Sequence, residues 1–272
     1  MIAAFLLFAT IEWNDVGKAL GRAGSMQPGN VYKVSFPRSD LHVVARGVEI
    51  KPALALGSWI AFVEEGDHTM AMGDLVLLTS EVNPVISILQ DGGIEQSAVH
   101  NHLMDESPRV MYVHFEGHGD AVKLATTLHR ALEATKTPLG PAPASSAATI
   151  DLPTADLDRV LHATGKINGG VYQFAIARAN ETIPPSMGTA TAINFQPTGG
   201  GKAAISGDFV MTANEVNPVI RALRKGGIEV TALHSHMLNE QPRLFFMHFW
   251  ANADAKQLAA TLRSALDQMD VK

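Results

Sequence analysis

The sequence predicts an α+β fold in which one unit is built twice, and three observations lead to this prediction. The chain matches itself at an offset of 134 residues, so that Gly73–Phe115 aligns without a gap on Gly207–Phe249, and 22 of these 43 positions are identical. Within each copy, β-rich runs and helical segments follow the order β-β-α-β-β-α. The last helix of each copy is amphipathic. We therefore expect a tandem duplication with helices packed on mostly antiparallel sheets and a pseudo-twofold axis between the copies.

The first copy illustrates how each element is predicted. Two β-rich runs are followed by a helix that begins near Ser80, a favourable N-cap, and ends at Gly92 and Gly93, because glycine commonly stops a helix. Two further strands flank a turn at Pro108, and the amphipathic helix closes the unit. The expected elements of the first copy are Trp59–Val63, Gly73–Leu78, Glu81–Gln90, Ile94–His102, Arg109–Phe115 and Ala121–Leu132, and those of the second are Thr191–Phe195, Gly207–Met211, Glu215–Arg224, Ile228–His236, Arg243–Phe249 and Ala255–Leu266.

Two segments lie outside the repeated units. Residues 138–149 are rich in Pro, Ala and Ser, which is typical of a linker, so we expect one domain at 1–137 and a second at 150–272. The apolar start, residues 1–11, is shorter than the roughly 20 residues that span a membrane, and no membrane span is expected. It is either the remnant of a signal peptide or a buried segment of the core. We favour the remnant, and therefore export to the periplasm or the medium, with a cytoplasmic location left open.

Composition narrows the classes of function. The chain has no Cys, which excludes disulfides, Cys-ligated zinc, iron–sulfur clusters and thiol catalysis. Its net charge of −6 and the lack of a run of Lys or Arg argue against nucleic acid as a partner. The eleven histidines are therefore the informative residues.

Each copy carries three histidines and one glutamate in the pattern His-x-His-x3-Glu-x7-His. Residues i and i+2 of a strand share a face, so the two histidines of His-x-His project together. If the chain folds back as a hairpin centred near residue 107, His114 pairs with His100 on that face. We therefore expect one metal site in each copy. The residues are His100, His102, Glu106 and His114 in the first copy, and His234, His236, Glu240 and His248 in the second.

The residue types limit the metal and leave the role of the carboxylates open. Imidazole suits Zn, Mn, Fe, Ni and Cu, and among these divalent transition metals we expect Zn. Glu106 and Glu240 are either ligands or catalytic general bases beside a metal-bound water.

Other residues have simpler interpretations. Arg109 and Arg243 either bind an anionic substrate or pair with the neighbouring Glu106 and Glu240, and we favour the ion pairs. Asp74 and its counterpart are interpreted as turn residues, and the repeated Glu-Val-Asn-Pro, at 81–84 in the first copy, as a helix start. The histidines without a counterpart in the other copy are interpreted as surface residues; they are His42, His68, His118, His129 and His162.

The repeated blocks also carry a family resemblance. GDLVLLTSEVNPVI…HNHLMDESPRVMYVHF and GDFVMTANEVNPVI…HSHMLNEQPRLFFMHF, together with PRSDL at Pro37–Leu41, resemble the LppY/LpqO family of bacterial proteins. The resemblance covers nearly the whole chain after its apolar start. It implies export, often as a lipoprotein, although this chain has no Cys that could carry the lipid. It implies no reaction.

Three functions are compatible with these observations. The first is a zinc-dependent hydrolase that uses metal-activated water on an unidentified small-molecule or envelope substrate. The second is a non-catalytic envelope protein that binds, buffers or delivers Zn or Cu. The third is an interaction module with structural histidines. A closed ligand shell favours binding and an open position beside a pocket favours catalysis. The sequence leaves open whether the two sites are separate or face each other across the pseudo-twofold axis.

Overall fold

The structure, a computed structural model, describes residues 11–141, 149–180 and 183–272. Apart from Ile11, the apolar start lies outside the described residues, as do residues 142–148 of the expected linker. Within the described ranges, no helix is both long and apolar enough to cross a membrane.

Each half of the chain is built on a six-stranded antiparallel sheet. The strand order is β1-β2-β5-β6-β9-β7 in the first half and β10-β11-β12-β13-β15-β14 in the second. The first half contains α1 (Trp13–Leu20), β1 (Ser25–Gln27), β2 (Val31–Pro37), β3 (Val44–Ala45), β4 (Val48–Glu49), α2 (Pro52–Ala55), β5 (Gly57–Glu65), β6 (His68–Leu78), α3 (Thr79–Asp91), β7 (Glu95–His100), β8 (Glu106–Ser107), β9 (Val110–Gly119) and α4 (Ala121–Glu133). The second contains α5 (Thr154–Leu161), β10 (Lys166–Asn168), β11 (Val171–Ile176), a 3-10 turn (Pro185–Met187), β12 (Thr191–Gly199), β13 (Lys202–Thr212), α6 (Ala213–Lys225), β14 (Glu229–His234), β15 (Leu244–Asp254) and α7 (Ala255–Leu266).

The predicted α+β class and the tandem duplication are confirmed. The six predicted elements of the first copy correspond to β5, β6, α3, β7, β9 and α4. Each half also has a helix and two strands before these elements. They were not predicted, because the two copies resemble each other only weakly in these segments. The first half also contains a small sheet of order β4-β3-β8, which has no counterpart among the described residues of the second half.

Helices cover one face of each sheet, and the other faces of the two sheets pack against each other. Helix α4 buries the apolar face that its sequence predicts, including Leu124 and Leu128, against the first sheet. Two further apolar clusters combine residues of both halves, one with Tyr112 and Trp250 and the other with Met72 and Phe246. The layers therefore run helix, sheet, sheet, helix, and the interior of the molecule lies between the sheets.

A buried ion pair anchors the first long helix of each half. The Arg38 side chain is fully buried, and its Nη1 donates to Glu81 Oε2 at 2.7 Å and to the Val76 carbonyl at 2.8 Å. Glu81 Oε2 also accepts the backbone N–H of Leu78 at 2.8 Å, so the same carboxylate satisfies a free donor at the start of α3. The second half repeats the pair with Arg178 donating to Glu215 at 2.8 Å. The Glu of Glu-Val-Asn-Pro is thus structural.

We expect Arg38→Ala to lower the free energy of unfolding by about 3–5 kcal/mol, because Glu81 would remain buried without its counter-charge. Urea unfolding followed by circular dichroism measures this loss. Arg159→Ala is the control, since Arg159 pairs with Asp156 on the surface with 75% of its side chain exposed. Equal destabilisation by both variants would contradict the assignment.

Candidate metal centre

The repeated histidines lie on the inner faces of the two sheets. His100 ends the edge strand β7, and His114 lies on its neighbour β9. Ala98 is the residue opposite His114, and His100 is opposite Tyr112, so the expected pairing of His100 with His114 is wrong by two residues. The bulge between Gln96 and Ala98 moves the pairing by only one residue. The two-residue difference arises in the loop that joins β7 to β9, which centres the hairpin on residue 106 rather than 107, and a shift of two residues keeps the same face. The histidines therefore still converge.

The two sets of histidines form one cluster across the boundary between the halves. The ring of His100 stacks on the ring of His234 with centroids 3.8 Å apart. In the same way, His102 stacks on His248 at 3.6 Å, and His114 on His236 at 3.7 Å. His100 and His234 are repeat-equivalent, and the other two pairs are equivalent to each other, since His102 corresponds to His236 and His114 to His248. A pseudo-twofold axis therefore passes between His100 and His234.

Reciprocal hydrogen bonds hold the two His-x-His segments against each other. The Ser97 hydroxyl donates to the His236 carbonyl at 2.5 Å, and the Thr231 hydroxyl donates to the His102 carbonyl at 2.7 Å. Asn101 adds a third bond from its amide to the Thr231 carbonyl at 3.1 Å. The backbone between the histidines is thus fixed from the opposite half.

Two groups of three imidazoles have the spacing of metal ligands, and each group takes residues from both halves. One group is His100, His114 and His234, and the other is His100, His102 and His248; within each, the ligand atoms lie within 4.8 Å of one another. The Nε2 atoms of His100 and His102 are 3.1 Å apart. Two nitrogens bound to one Zn at 2.0–2.1 Å in tetrahedral geometry lie about 3.3 Å apart. These groups, rather than one set of three histidines within each repeat, are the candidate metal ligands.

The last histidine of each motif, His114 or His248, is held in one tautomer by a backbone carbonyl. His114 Nδ1–H donates to the Gly73 carbonyl at 3.1 Å, and His248 Nδ1–H donates to the Gly207 carbonyl at 2.8 Å. Because a carbonyl only accepts, both Nδ1 atoms carry the proton, and both Nε2 lone pairs are free to bind a metal. A Cβ at Gly73 would lie 2.2 Å from the Trp59 carbonyl oxygen, which explains the glycine.

Asp74 and Asp208 belong to the centre, and their interpretation as turn residues is wrong. Both lie within strands, opposite His114 and His248 respectively. Asp74 Oδ2 is 3.3 Å from His102 Nε2, and Asp208 Oδ2 is 3.2 Å from His236 Nε2. The retention of Gly-Asp in both copies was the sequence signal that could have identified them.

Glu106 and Glu240 are held by their own loops. Glu106 Oε1 accepts the Val110 N–H at 3.3 Å and lies 3.5 Å from Arg109 Nε. Glu240 repeats this arrangement, accepting the Leu244 N–H at 3.0 Å, with Arg243 Nε at 3.3 Å. The expected pairing of each arginine with its glutamate is present. Neither glutamate belongs to the groups of ligand atoms around the histidines.

Many polar side-chain atoms of this centre are buried without a hydrogen-bond partner. Burial lowers the pKa of all six imidazoles and raises the pKa of Asp74 and Asp208. Among the described residues, every buried side-chain nitrogen or oxygen without a hydrogen-bond partner belongs to these eight residues or to Glu106 and Glu240. An unpaired buried polar atom costs about 1–3 kcal/mol. Neutral imidazoles with free lone pairs are the form that binds a cation.

Comparison with known proteins identifies a family and no activity. The family described as "Domain of Unknown Function (DUF1259)" matches residues 14–134 and again residues 155–268. No curated protein matches the chain.

Two solved structures have a weak similarity to the chain. The chain is similar to the trimeric bacterial microcompartment shell protein PduB, at 13% identity over 91% of this chain and 90% of the other, with a TM-score of 0.24. A structure of TP0453 has 10% identity over 91% of this chain and 96% of the other, with a TM-score of 0.20. Neither carries an argument about fold or function at such scores.

We expect the metal-free protein to lose stability as the pH falls below about 6.5. The unfolded chain binds protons at its histidines near that pH, whereas burial lowers the pKa of these imidazoles in the folded state, so acid favours unfolding. Each histidine contributes a slope of about 1.4 kcal/mol per pH unit. The raised pKa of Asp74 and Asp208 acts in the opposite direction, but two carboxyls oppose six imidazoles.

Urea unfolding of the metal-free protein between pH 8 and pH 5 measures this slope. The variant His114→Gln/His248→Gln should reduce the contribution of the imidazoles to this slope by about a third, because it removes two of the six, whereas His42→Gln, at an exposed position, should leave it unchanged. A pH-independent free energy of unfolding in the wild type would contradict the expectation.

Proposed function

The chain belongs to the DUF1259 family, whose description assigns no activity, and we propose from the centre itself that it is a metal-binding protein. A divalent transition metal is held between the two sheets by imidazoles of both halves. The observation that carries this proposal is the concentration of unpartnered buried polar atoms in the centre. A bound cation would interact with the nitrogen lone pairs and carboxylate oxygens, which are buried without a hydrogen-bond partner.

Zinc is the metal that we propose. Zinc accepts three imidazoles and a carboxylate in tetrahedral geometry, and the group His100, His102 and His248 has Asp74 beside His102. Mn, Fe, Ni and Cu share these ligand types, and the relative affinities for divalent ions favour Cu and Zn over Mn and Fe.

Binding without turnover is the role that we favour. Four of the six histidines are buried, and all six rings stack closely on rings of the opposite half, which restricts the approach of a substrate. Glu106 and Glu240 are engaged by Arg109 and Arg243 rather than by the histidines. The resemblance to the LppY/LpqO family supports an exported protein, in which such a centre would buffer or deliver Zn or Cu.

A zinc-dependent hydrolase is the second candidate, and one observation favours it. Oε2 of Glu106 and Oε2 of Glu240 are buried without a hydrogen-bond partner. A carboxylate oxygen of this kind could accept a proton from a metal-bound water. His102, with 15% of its side chain exposed, provides the opening to solvent that such a reaction needs.

A shared centre predicts that single substitutions affect metal content unequally. His100 is common to both groups of ligand atoms, so we expect His100→Ala to remove the bound metal. His102→Ala removes a ligand from the group that has Asp74 beside it but leaves the group His100, His114 and His234 intact, so we expect it to retain more metal than His100→Ala. Elemental analysis of protein purified without a polyhistidine tag measures the metal content per chain.

The control is His42→Ala, whose side chain is 88% exposed and should leave the metal content unchanged. Retention of half the metal in His100→Ala would indicate an independent site in each half. Wild-type protein that contains no metal and takes up none of Zn, Mn, Fe, Ni or Cu would overturn the proposal.

The variants Glu106→Gln and Glu240→Gln separate the two roles. Both should retain metal, because each glutamate is held by its own loop rather than placed among the imidazole ligands. Any hydrolytic activity of the wild type should fall by about 10²–10⁴-fold if either glutamate is the base. Loss of metal comparable with that of His100→Ala would instead make the carboxylates ligands.

A further inference from the structure

A second cluster of metal-binding side chains lies on the surface of the first half, away from the inner faces of the sheets. It occupies the turn between β5 and β6 and the neighbouring end of β9. We propose that Glu65, His68 and His118 form a second site for a divalent transition metal. This site goes beyond the proposed function, and its existence does not depend on the buried centre.

One carboxylate oxygen faces a nitrogen of each imidazole. Glu65 Oε2 lies 3.7 Å from His68 Nε2 and 3.6 Å from His118 Nδ1. The two rings meet edge to face with centroids 5.6 Å apart, and the three residues offer ligand atoms within 4.8 Å of one another. Distances of this size are longer than hydrogen bonds and leave room for an ion bound by all three groups.

The remaining nitrogen of each ring is held by a further carboxylate. His68 Nδ1 lies 3.1 Å from Asp67 Oδ1, and His118 Nε2 lies 2.9 Å from Glu116 Oε1. A carboxylate only accepts, so these nitrogens carry the protons, and in the neutral rings the nitrogens that face Glu65 carry lone pairs. Carboxylates that orient metal-ligating histidines in this way are characteristic of metal sites.

The alternative is a surface ion-pair network in which both rings are protonated. Two neutral rings would direct their lone pairs at a carboxylate oxygen, which is repulsive unless a proton or a cation lies between them. The network requires two positive charges on adjacent rings, whereas a single dication satisfies both lone pairs and the carboxylate. The three neighbouring carboxylates favour a cation at this position.

The cluster is confined to one half. Gly199, Lys202 and Asn252 occupy the positions that correspond to Glu65, His68 and His118. The duplicated framework therefore folds without these side chains, and the second half supplies substitutions that this backbone already accommodates.

Imidazole and carboxylate ligands select Zn, Ni or Cu over Mg or Ca. Nearly half of each side chain is exposed, so water would complete the coordination. We expect an exchangeable ion that binds more weakly than one held between the sheets.

The protein is first treated with a weak chelator, and elemental analysis counts the metal that remains bound. Titration of the full chain with Zn by isothermal calorimetry then tests the site. The wild type should take up one further exchangeable Zn. His118→Asn and His68→Lys should each weaken this uptake by more than about 100-fold, and Glu116→Ala, which frees the ring of His118, by about 10–100-fold.

The control is His42→Asn, which should bind Zn as the wild type does, and none of these variants should change the chelator-resistant metal. If the buried centre holds no metal, the uptake that depends on His118 still reports on the surface site. Wild-type protein without an exchangeable Zn, or wild-type affinity in both His118→Asn and His68→Lys, would overturn the proposal.

Discussion

The structure depends on a polar cluster that is buried where two apolar sheet faces meet. Six imidazoles and two carboxylates occupy the interior between the sheets, flanked by apolar clusters that combine residues of both halves. Removing such groups from water is unfavourable unless they find partners. The rings stack on one another, but stacking leaves the in-plane lone pairs unsatisfied. A transition metal could accept these lone pairs. The packing of the two halves, which brings the imidazoles together, is therefore linked to the proposed function.

Hydrogen bonds from the surrounding backbone and side chains restrict the conformations and tautomers of the clustered histidines. The carbonyls of Gly73 and Gly207 fix the tautomers of His114 and His248, and the crossed hydroxyl bonds of Ser97 and Thr231 fix the His-x-His backbones. Outside the cluster, the buried arginine–glutamate pairs secure the helices that cover the sheets. The candidate ligand atoms are therefore positioned by backbone and packing, a condition for tight and selective metal binding.

Local patterns predicted much of this structure, and long-range pairing limited the rest. Hydrophobic periodicity and the glycine stops located the predicted helices and strands, and the repeat identified all six histidines. The predicted register is wrong by two residues because the connection between β7 and β9 is not a simple turn: Glu106 and Ser107 within it pair with β3, a long-range contact that local patterns do not reveal. Asp74 was misread because Gly-Asp is a common turn pair, whereas here the glycine permits close approach of a strand. The histidines of both repeats converge on one cluster because the two sheets pack face to face. The sequence periodicity within one repeat carries no information about that packing.

The axis between His100 and His234 has a consequence for the origin of the chain. His100 meets its own equivalent at this axis, and each of the other stacked contacts occurs twice, once on either side of it. Such an arrangement can be built by two identical copies of the unit, since a twofold interface is self-complementary. A single-unit ancestor would thus have assembled the six-histidine cluster as a homodimer, with a ligand set complete only after association. Fusion of the two copies would have freed each to diverge. Within the described ranges, the β4-β3-β8 sheet and the Glu65–His68–His118 cluster occur in the first half alone, an asymmetry that a dimer of identical copies could not carry.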